Sequence, residues 1–127
     1  MTPSNDSARA FFAGTPWALP IYDTIEDAVL TEAPEAEIRV HKTQITYWDV
    51  HAFAFASLPF RRMKGWPERC LVFSLGLARS AEHPRVLARA NPYPNRWTLH
   101  AVLAAPDDLD DDLRALLHEA HDFALVK

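Results

Sequence analysis

The sequence predicts an α+β domain: a single antiparallel sheet of five or six strands, with N-terminal helices and a C-terminal helix packed on it. Three observations carry this. Apolar residues recur at spacings of three and four near both ends of the chain, they alternate with a period of two through its middle, and no helical pattern separates the strand-like runs. Runs that follow one another at roughly 8- to 12-residue spacing without helices imply an antiparallel meander rather than βαβ units. A curled sheet with the terminal helices on one face would bury both helical stripes at once, leaving its other face to water or to a pocket.

The elements follow in order. Residues 1–6 are polar and expected to fray. Ser7 precedes Ala8-Arg9-Ala10-Phe11-Phe12-Ala13, and Gly14 follows, the start and stop signals of a short helix. Pro16 and Trp17 open a second helix whose stripe is Leu19, Tyr22, Ile25, Val29 and Leu30, with Asp23, Glu26, Asp27 and Glu32 mostly off it. Pro34 ends it, because proline is disfavoured in a helix interior and restricts the residue before it. From Glu37 the period is two: residues 38–41 and 44–48 are β-rich runs, joined at Lys42-Thr43 by a bulge or tight turn. Residues 52–58 alternate aromatic with small side chains, as in a strand turning its large residues to a core, and Pro59 closes the run. Residues 60–68 show no period and form a connection. Residues 70–77 read as a central strand, with Leu71, Phe73, Leu75 and Leu77 on one face and Cys70, Val72, Ser74 and Gly76 on the other. Residues 86–90 and 97–103 supply two more strands, and the prolines at 92 and 94 are expected to break the ladder between them. Pro106-Asp107 starts the last helix, with Leu109, Leu113, Leu116, Leu117, Ala120 and Ala124 as its stripe.

The chain has 127 residues, 49% of them hydrophobic and 24% charged, which predicts one domain over residues 1–127. A lone cysteine, Cys70, excludes an internal disulfide framework, and the first ten residues lack a secretion signal, so a cytoplasmic location is expected. No apolar run approaches the roughly 20 residues of a membrane helix, so no membrane partner is expected. The net charge of −4 argues against bulk nucleic-acid binding. That charge is unevenly spread: residues 1–33 carry −4, residues 34–100 carry +5 and residues 101–127 carry −5. Charge divided by segment is expected to become charge divided by face. With only Gly14, Gly65 and Gly76, neither a Walker loop nor a dinucleotide fingerprint can be written.

Chemistry has few places to sit. Asp107, Asp108, Asp110, Asp111 and Asp112 complement the positive end of a helix and cap its free amides, each contribution worth about 0.3–1 kcal/mol. Asp107, Asp108, Asp111 and Asp112 would also offer oxygens to a hard cation, although without EF-hand spacing. His118 and His121 depart from the His-Glu-x-x-His pattern and suit the negative end of their helix. Cys70 reads as an inert core thiol, and Ser57 and Ser74 have no strained turn around them. The basic middle remains. His41, Lys42, Thr43 and Gln44 at a strand junction, Arg61, Arg62, Lys64 and Trp66 in a loop, and Tyr93, Asn95, Arg96 and His100 near the last strand would converge on one sheet face. Tyr47, Trp48 and Trp66 would add flat surfaces beside fixed cations, a site for an anionic small ligand, a phosphate or a stacked base.

The segments Val40-His41-Lys42-Thr43-Gln44-Ile45-Thr46-Tyr47, Arg69-Cys70-Leu71-Val72-Phe73-Ser74-Leu75-Gly76-Leu77, Asn95-Arg96-Trp97-Thr98-Leu99-His100 and Asp108-Leu109-Asp110-Asp111-Asp112-Leu113 resemble the bacterial domain-of-unknown-function family numbered 5655. The likeness runs from about Ala10 to Phe123, and its most specific pieces are Lys-Thr-Gln-Ile and Arg-Trp-Thr-x-His. The resemblance implies that Lys42, Thr43, Gln44, Arg96 and His100 are matching polar positions, and it implies no reaction. Members occur alone or appended to nuclease-like domains, and some carry the label "predicted transport protein". The helix-sheet-helix order also looks like the wider group that includes a frataxin-like bacterial iron chaperone, an analogy of fold alone.

The leading expectation is therefore a non-enzymatic binding or interaction module. Its candidate residues are Lys42, Thr43, Gln44, Tyr47, Arg61, Arg62, Arg96 and His100, and its partner a small anionic ligand or a protein. No cofactor is expected. The alternative is weak iron binding by Asp107, Asp108, Asp111 and Asp112. A second alternative is a small hydrolase with His100 as general base and Lys42 or Arg96 holding an oxyanion. Exposed strand edges permit a homodimer without demanding one.

Overall fold

The two periodicities of the sequence become two layers. In a computed structural model that describes residues 6–59 and 63–126, a six-stranded antiparallel sheet is covered on one face by helices. The strands are β1 (Glu37–Val40), β2 (Ile45–Asp49), β3 (His51–Ser57), β4 (Leu71–Leu77), β5 (Val86–Tyr93) and β6 (Arg96–Leu103). The helices are α1 (Asp6–Phe11), α2 (Leu19–Glu32) and α3 (Asp111–Val126), and single 3-10 turns at Pro16–Ala18 and Pro106–Asp108 precede α2 and α3. Between the layers lies one core, in which Phe12, Tyr22, Ile25 and Val29 meet Ile45, Phe73, Leu75, Leu99, Leu113 and Leu117. Each such side chain contributes about 1.5–3 kcal/mol on leaving water. No helix of the described residues is long and apolar enough to cross a membrane.

The strand order is β1-β2-β3-β4-β6-β5, which corrects the expected meander at its last step. Residues 78–85 carry the chain from the end of β4 back along α3, so β6 enters between β4 and β5. Arg79 reaches both carboxylate oxygens of Glu119, at 2.9 and 2.7 Å, and His83 Nε2 lies 3.0 Å from Asp110 Oδ1. These contacts tie the crossing segment to α3. β5 also runs further than expected, through Asn91 and Pro92 to Tyr93, because an edge strand can leave a proline outside the ladder. Its register shifts between Ala90 and Tyr93.

Two expectations about faces are corrected as well. A bulge in β3, with Phe53 as the extra residue between the pairs Tyr47–Ala54 and Trp48–Ala52, shifts the pairing with β2. Phe53 stays in the core, but Ala54 and Ala56 also face the helices, where small side chains leave room for α3, and Phe55 is left on the opposite face. Glu26, expected off the apolar stripe of α2, is 4% exposed. It is tolerated because the Tyr22 hydroxyl donates to its Oε1 at 3.0 Å.

Nor does the basic middle segregate from the acidic ends. Arg79 pairs with Glu119, and Arg85 with Asp108 at 2.8 Å, so cations of the central segment spend their charge on carboxylates of the C-terminal one. Exposed pairs of this kind contribute about 0–1 kcal/mol each and chiefly fix loop positions.

Candidate ligand groove on the open sheet face

Alternation along the strands places Phe55, Ser74, Gly76, Thr98 and His100 on the face away from the helices, since their neighbours Ala54, Phe73, Leu75, Leu77, Leu99 and Ala101 belong to the core. Phe55 pairs with Ser74, Ser74 with His100, and Gly76 with Thr98. Near the β5–β6 hairpin this face deepens into an open groove of about 510 Å³. Phe55, Gly76 and Thr98 line it from the sheet, and Tyr93, Arg96 and Trp97 from the hairpin, with two prolines between. The hairpin is tight: Tyr93 pairs with Arg96, leaving Pro94 and Asn95 as the turn. Asn95 takes φ +61°, a left-handed conformation that asparagine tolerates better than most residues.

Arg96 and Tyr93 stand at the groove's margin, and His100 lies further along β6, outside its lining. Arg96 is the cation of that margin. Its guanidinium lies 5.1 Å from the centre of the Phe123 ring of α3, and among the described residues it makes no ion pair. Tyr93 is 69% exposed, a large aromatic surface left in water on the wall. His100 lies beside Ser74, with Nδ1 2.8 Å from Ser74 Oγ. Burial pushes the His100 imidazole below its ordinary value, so the ring is neutral near pH 7 and presents one donor and one acceptor. Among the described residues its Nε2 has no hydrogen-bond partner.

The candidates from sequence separate. Arg96 and His100 share β6, four residues apart, but only Arg96 lines the groove, and its guanidinium reaches Phe123 of α3. Lys42, Thr43 and Gln44 do not join them. They form the β1–β2 turn, at the opposite edge of the sheet and the opposite end of the strands from the β5–β6 hairpin, with β3 and β4 in between. Gln44 Nε2 donates to Thr46 Oγ1 at 3.3 Å. Tyr47 is fully buried on the helix side, where β2 pairs it with Ala54, and offers no surface to a ligand. Trp48 is flat and partly exposed, but Arg39 covers it at 4.2 Å. Arg61 and Arg62 lie outside the described residues. Phe55, Gly76, Trp97 and Thr98 were not among the candidates. The one sequence signal for them is Gly76, a glycine interrupting the apolar run of a central strand.

The acidic run at the start of α3 is partly committed to backbone. Asp108 Oδ2 accepts from the Ala104 and Ala105 amides at 2.8 and 3.1 Å, and Asp110 Oδ1 from the Leu113 amide at 2.9 Å. Asp107, Asp111 and Asp112 are exposed. The histidines of α3 do more than face a helix end. Glu32 Oε1 lies 2.7 Å from His118 Nδ1, and Asp49 Oδ2 lies 2.7 Å from His121 Nε2, which links α3 to the end of α2 and to the β2–β3 hairpin. Among the described residues no group of three or more His, Cys, Asp or Glu side chains is arranged to hold a metal ion.

No curated protein and no solved structure matches the chain. The sequence pattern of one family, described as "Domain of unknown function (DUF5655)", matches residues 8–124, which takes in the groove and nearly all of the two layers. The chain therefore belongs to the DUF5655 family.

Proposed function

We propose that this domain is a binding module whose sheet-face groove takes a small molecule with a flat apolar body and one anionic group. The observation that carries the reading is Gly76. A glycine inside a central strand costs about 0.5–1 kcal/mol relative to alanine. Here nothing in the backbone asks for it: Gly65 is the glycine with positive φ, and a Cβ on Gly76 would meet its nearest neighbour, the Phe53 carbonyl oxygen, at an ordinary 4.0 Å. What the missing side chain does is leave the groove open between Phe55 and Thr98. Apolar walls with a few polar groups at the margins are the usual make-up of small-molecule sites of roughly 300–1,000 Å³. Arg96, whose guanidinium rests against Phe123 of α3, is the cation among the groove's lining residues. The arrangement favours binding over hydrolysis. The partner of His100 is a buried serine rather than a carboxylate, and the β4 and β6 amides around it face each other in a ladder instead of forming an oxyanion hole.

The test is a titration with 2-naphthalenesulfonate followed by backbone amide shifts. Saturable shifts are expected at Phe55, Gly76 and Thr98, lost in Gly76→Val while its melting temperature holds or rises. Shifts that do not saturate, or that survive Gly76→Val, overturn the reading.

A further inference from the structure

We infer that His118 and His121 form a proton-operated clamp on the end of α2, closed when both imidazoles carry two protons and open when both carry one. The observation behind it is an unbroken chain of five side chains. Asp122 Oδ2 lies 3.1 Å from His118 Nε2, and His118 Nδ1 lies 2.7 Å from Glu32 Oε1. Glu32 Oε2 lies 3.4 Å from His121 Nδ1, and His121 Nε2 lies 2.7 Å from Asp49 Oδ2. Ionised carboxylates only accept, so all four contacts ask for an N–H, and two rings supply four only as imidazolium ions.

Neutral rings have one N–H each. By distance His121 keeps Asp49 and His118 keeps Glu32, which turns the lone pair of His121 Nδ1 toward Glu32 Oε2 and that of His118 Nε2 toward Asp122. Three carboxylates that faced two cations then face none, and His121 is 8% exposed, so water screens little of the repulsion. No other cation compensates. Among the described residues no Lys or Arg pairs with Glu32, Asp49 or Asp122; Arg79 reaches α3 at Glu119 and Arg96 at Phe123, and from β3 His121 meets the Phe53 ring, 5.0 Å away. His51 gives its Nδ1 hydrogen to the Ala124 carbonyl at 2.8 Å, a contact that its neutral ring keeps. Asp49 and His51 therefore hold the β2–β3 hairpin on α3 in both states, and Glu32, the last residue of α2, is the group that moves off. The protonated form is already favoured at one ring: the hydrogen bond and charge of Glu32, with Asp122 beside it, hold His118 above its ordinary value.

Nuclear magnetic resonance on the whole chain tests this. The ring protons of His118 and His121 follow the two imidazoles between about pH 5.5 and about pH 8.5. The Ala33 amide, which donates to the Val29 carbonyl at 2.7 Å, reports the last turn of α2, and the three-bond coupling of Val50, which reads its φ of +65°, reports the hairpin. Protection of the Ala33 amide, corrected for intrinsic exchange, is expected to fall about tenfold or more as the rings lose their protons, while the Val50 coupling holds. Glu32→Gln should cut that fall to less than about twofold, because a side-chain amide accepts from one neutral ring and donates to the other. Constant Ala33 protection while the rings titrate overturns the clamp, and so do rings that keep one state across the range. A Val50 coupling that changes together with Ala33 overturns it as well, because the loosening is then general. So does a Glu32→Gln protein that keeps the parent's response.

Discussion

Gly76 allows a prediction whose sign separates a site from a packing requirement. In Gly76→Ala the added Cβ has open space on the groove side and its nearest contact at 4.0 Å, so no clash opposes it. The unfolded chain loses the freedom of a glycine, and the strand gains about 0.5–1 kcal/mol. Valine adds the β-preference of a branched side chain, on a scale of about 1 kcal/mol. For a chain of 127 residues these gains correspond to a melting temperature roughly 2–5 °C higher. Gly65→Ala is the control. Gly65 has φ +90°, so a Cβ there is strained whatever the space around it, and a loss of about 1 kcal/mol is expected. Urea and thermal denaturation of the three variants read the result. If Gly76→Ala is destabilised by more than about 1 kcal/mol, the glycine is there for packing and the case for the groove fails. If it is stabilised and ligand binding is lost, the protein has kept a weaker strand in exchange for an open site.

Other substitutions test the layers around the groove. Tyr22→Phe strips the donor from buried Glu26 and should cost about 1–3 kcal/mol in urea unfolding. The hydrogen bond and charge of Glu32, with Asp122 beside it, hold His118 above its ordinary value. Folding therefore favours its protonated form: this stabilisation is complete below the unfolded value near 6.5 and disappears as pH rises through the higher folded value. His118→Gln should flatten that part of a stability–pH curve, and a curve unchanged by the substitution rejects the pair. His100 has the opposite sign, because its lowered value makes folding resist protonation, so its contribution is present above about 6.5 and lost as pH falls. Asp110→Ala removes the cap on the Leu113 amide and the partner of His83, costing about 1–2 kcal/mol in denaturant titration. Exposed Asp112 should tolerate alanine within about 0.5 kcal/mol.

The two layers were legible because amphipathic spacing is a local property. Leu113, Leu116, Leu117, Ala120 and Ala124 are buried where the stripe of the last helix places them, and the two faces of residues 71–77 divide as alternation requires. Failures occurred where a local pattern met a neighbour. Phe55 looked like a core residue until the β3 bulge at Phe53 shifted the pairing and α3 took the space above Ala54 and Ala56. Glu26 looked exposed until Tyr22, one turn away, gave it a donor inside the core.

The candidate site divides in the same way. Arg96 and His100 could be placed on one strand, four residues apart, because both fall within one β-rich run. Lys42 could not be placed relative to them. That depends on β6 entering between β4 and β5, a strand order set by how residues 78–85 anchor to α3 through Glu119 and Asp110. The same order puts Ser74 against His100 and Gly76 against Thr98. The amino-acid sequence by itself determined the α+β class, the capped start of α3 and the chemistry available to the last strand, since all of these act within a few residues along the chain. Only the tertiary structure decided that Phe55, Gly76, Tyr93 and Arg96 border one groove, because they come from four strands and their meeting depends on pairing order and register.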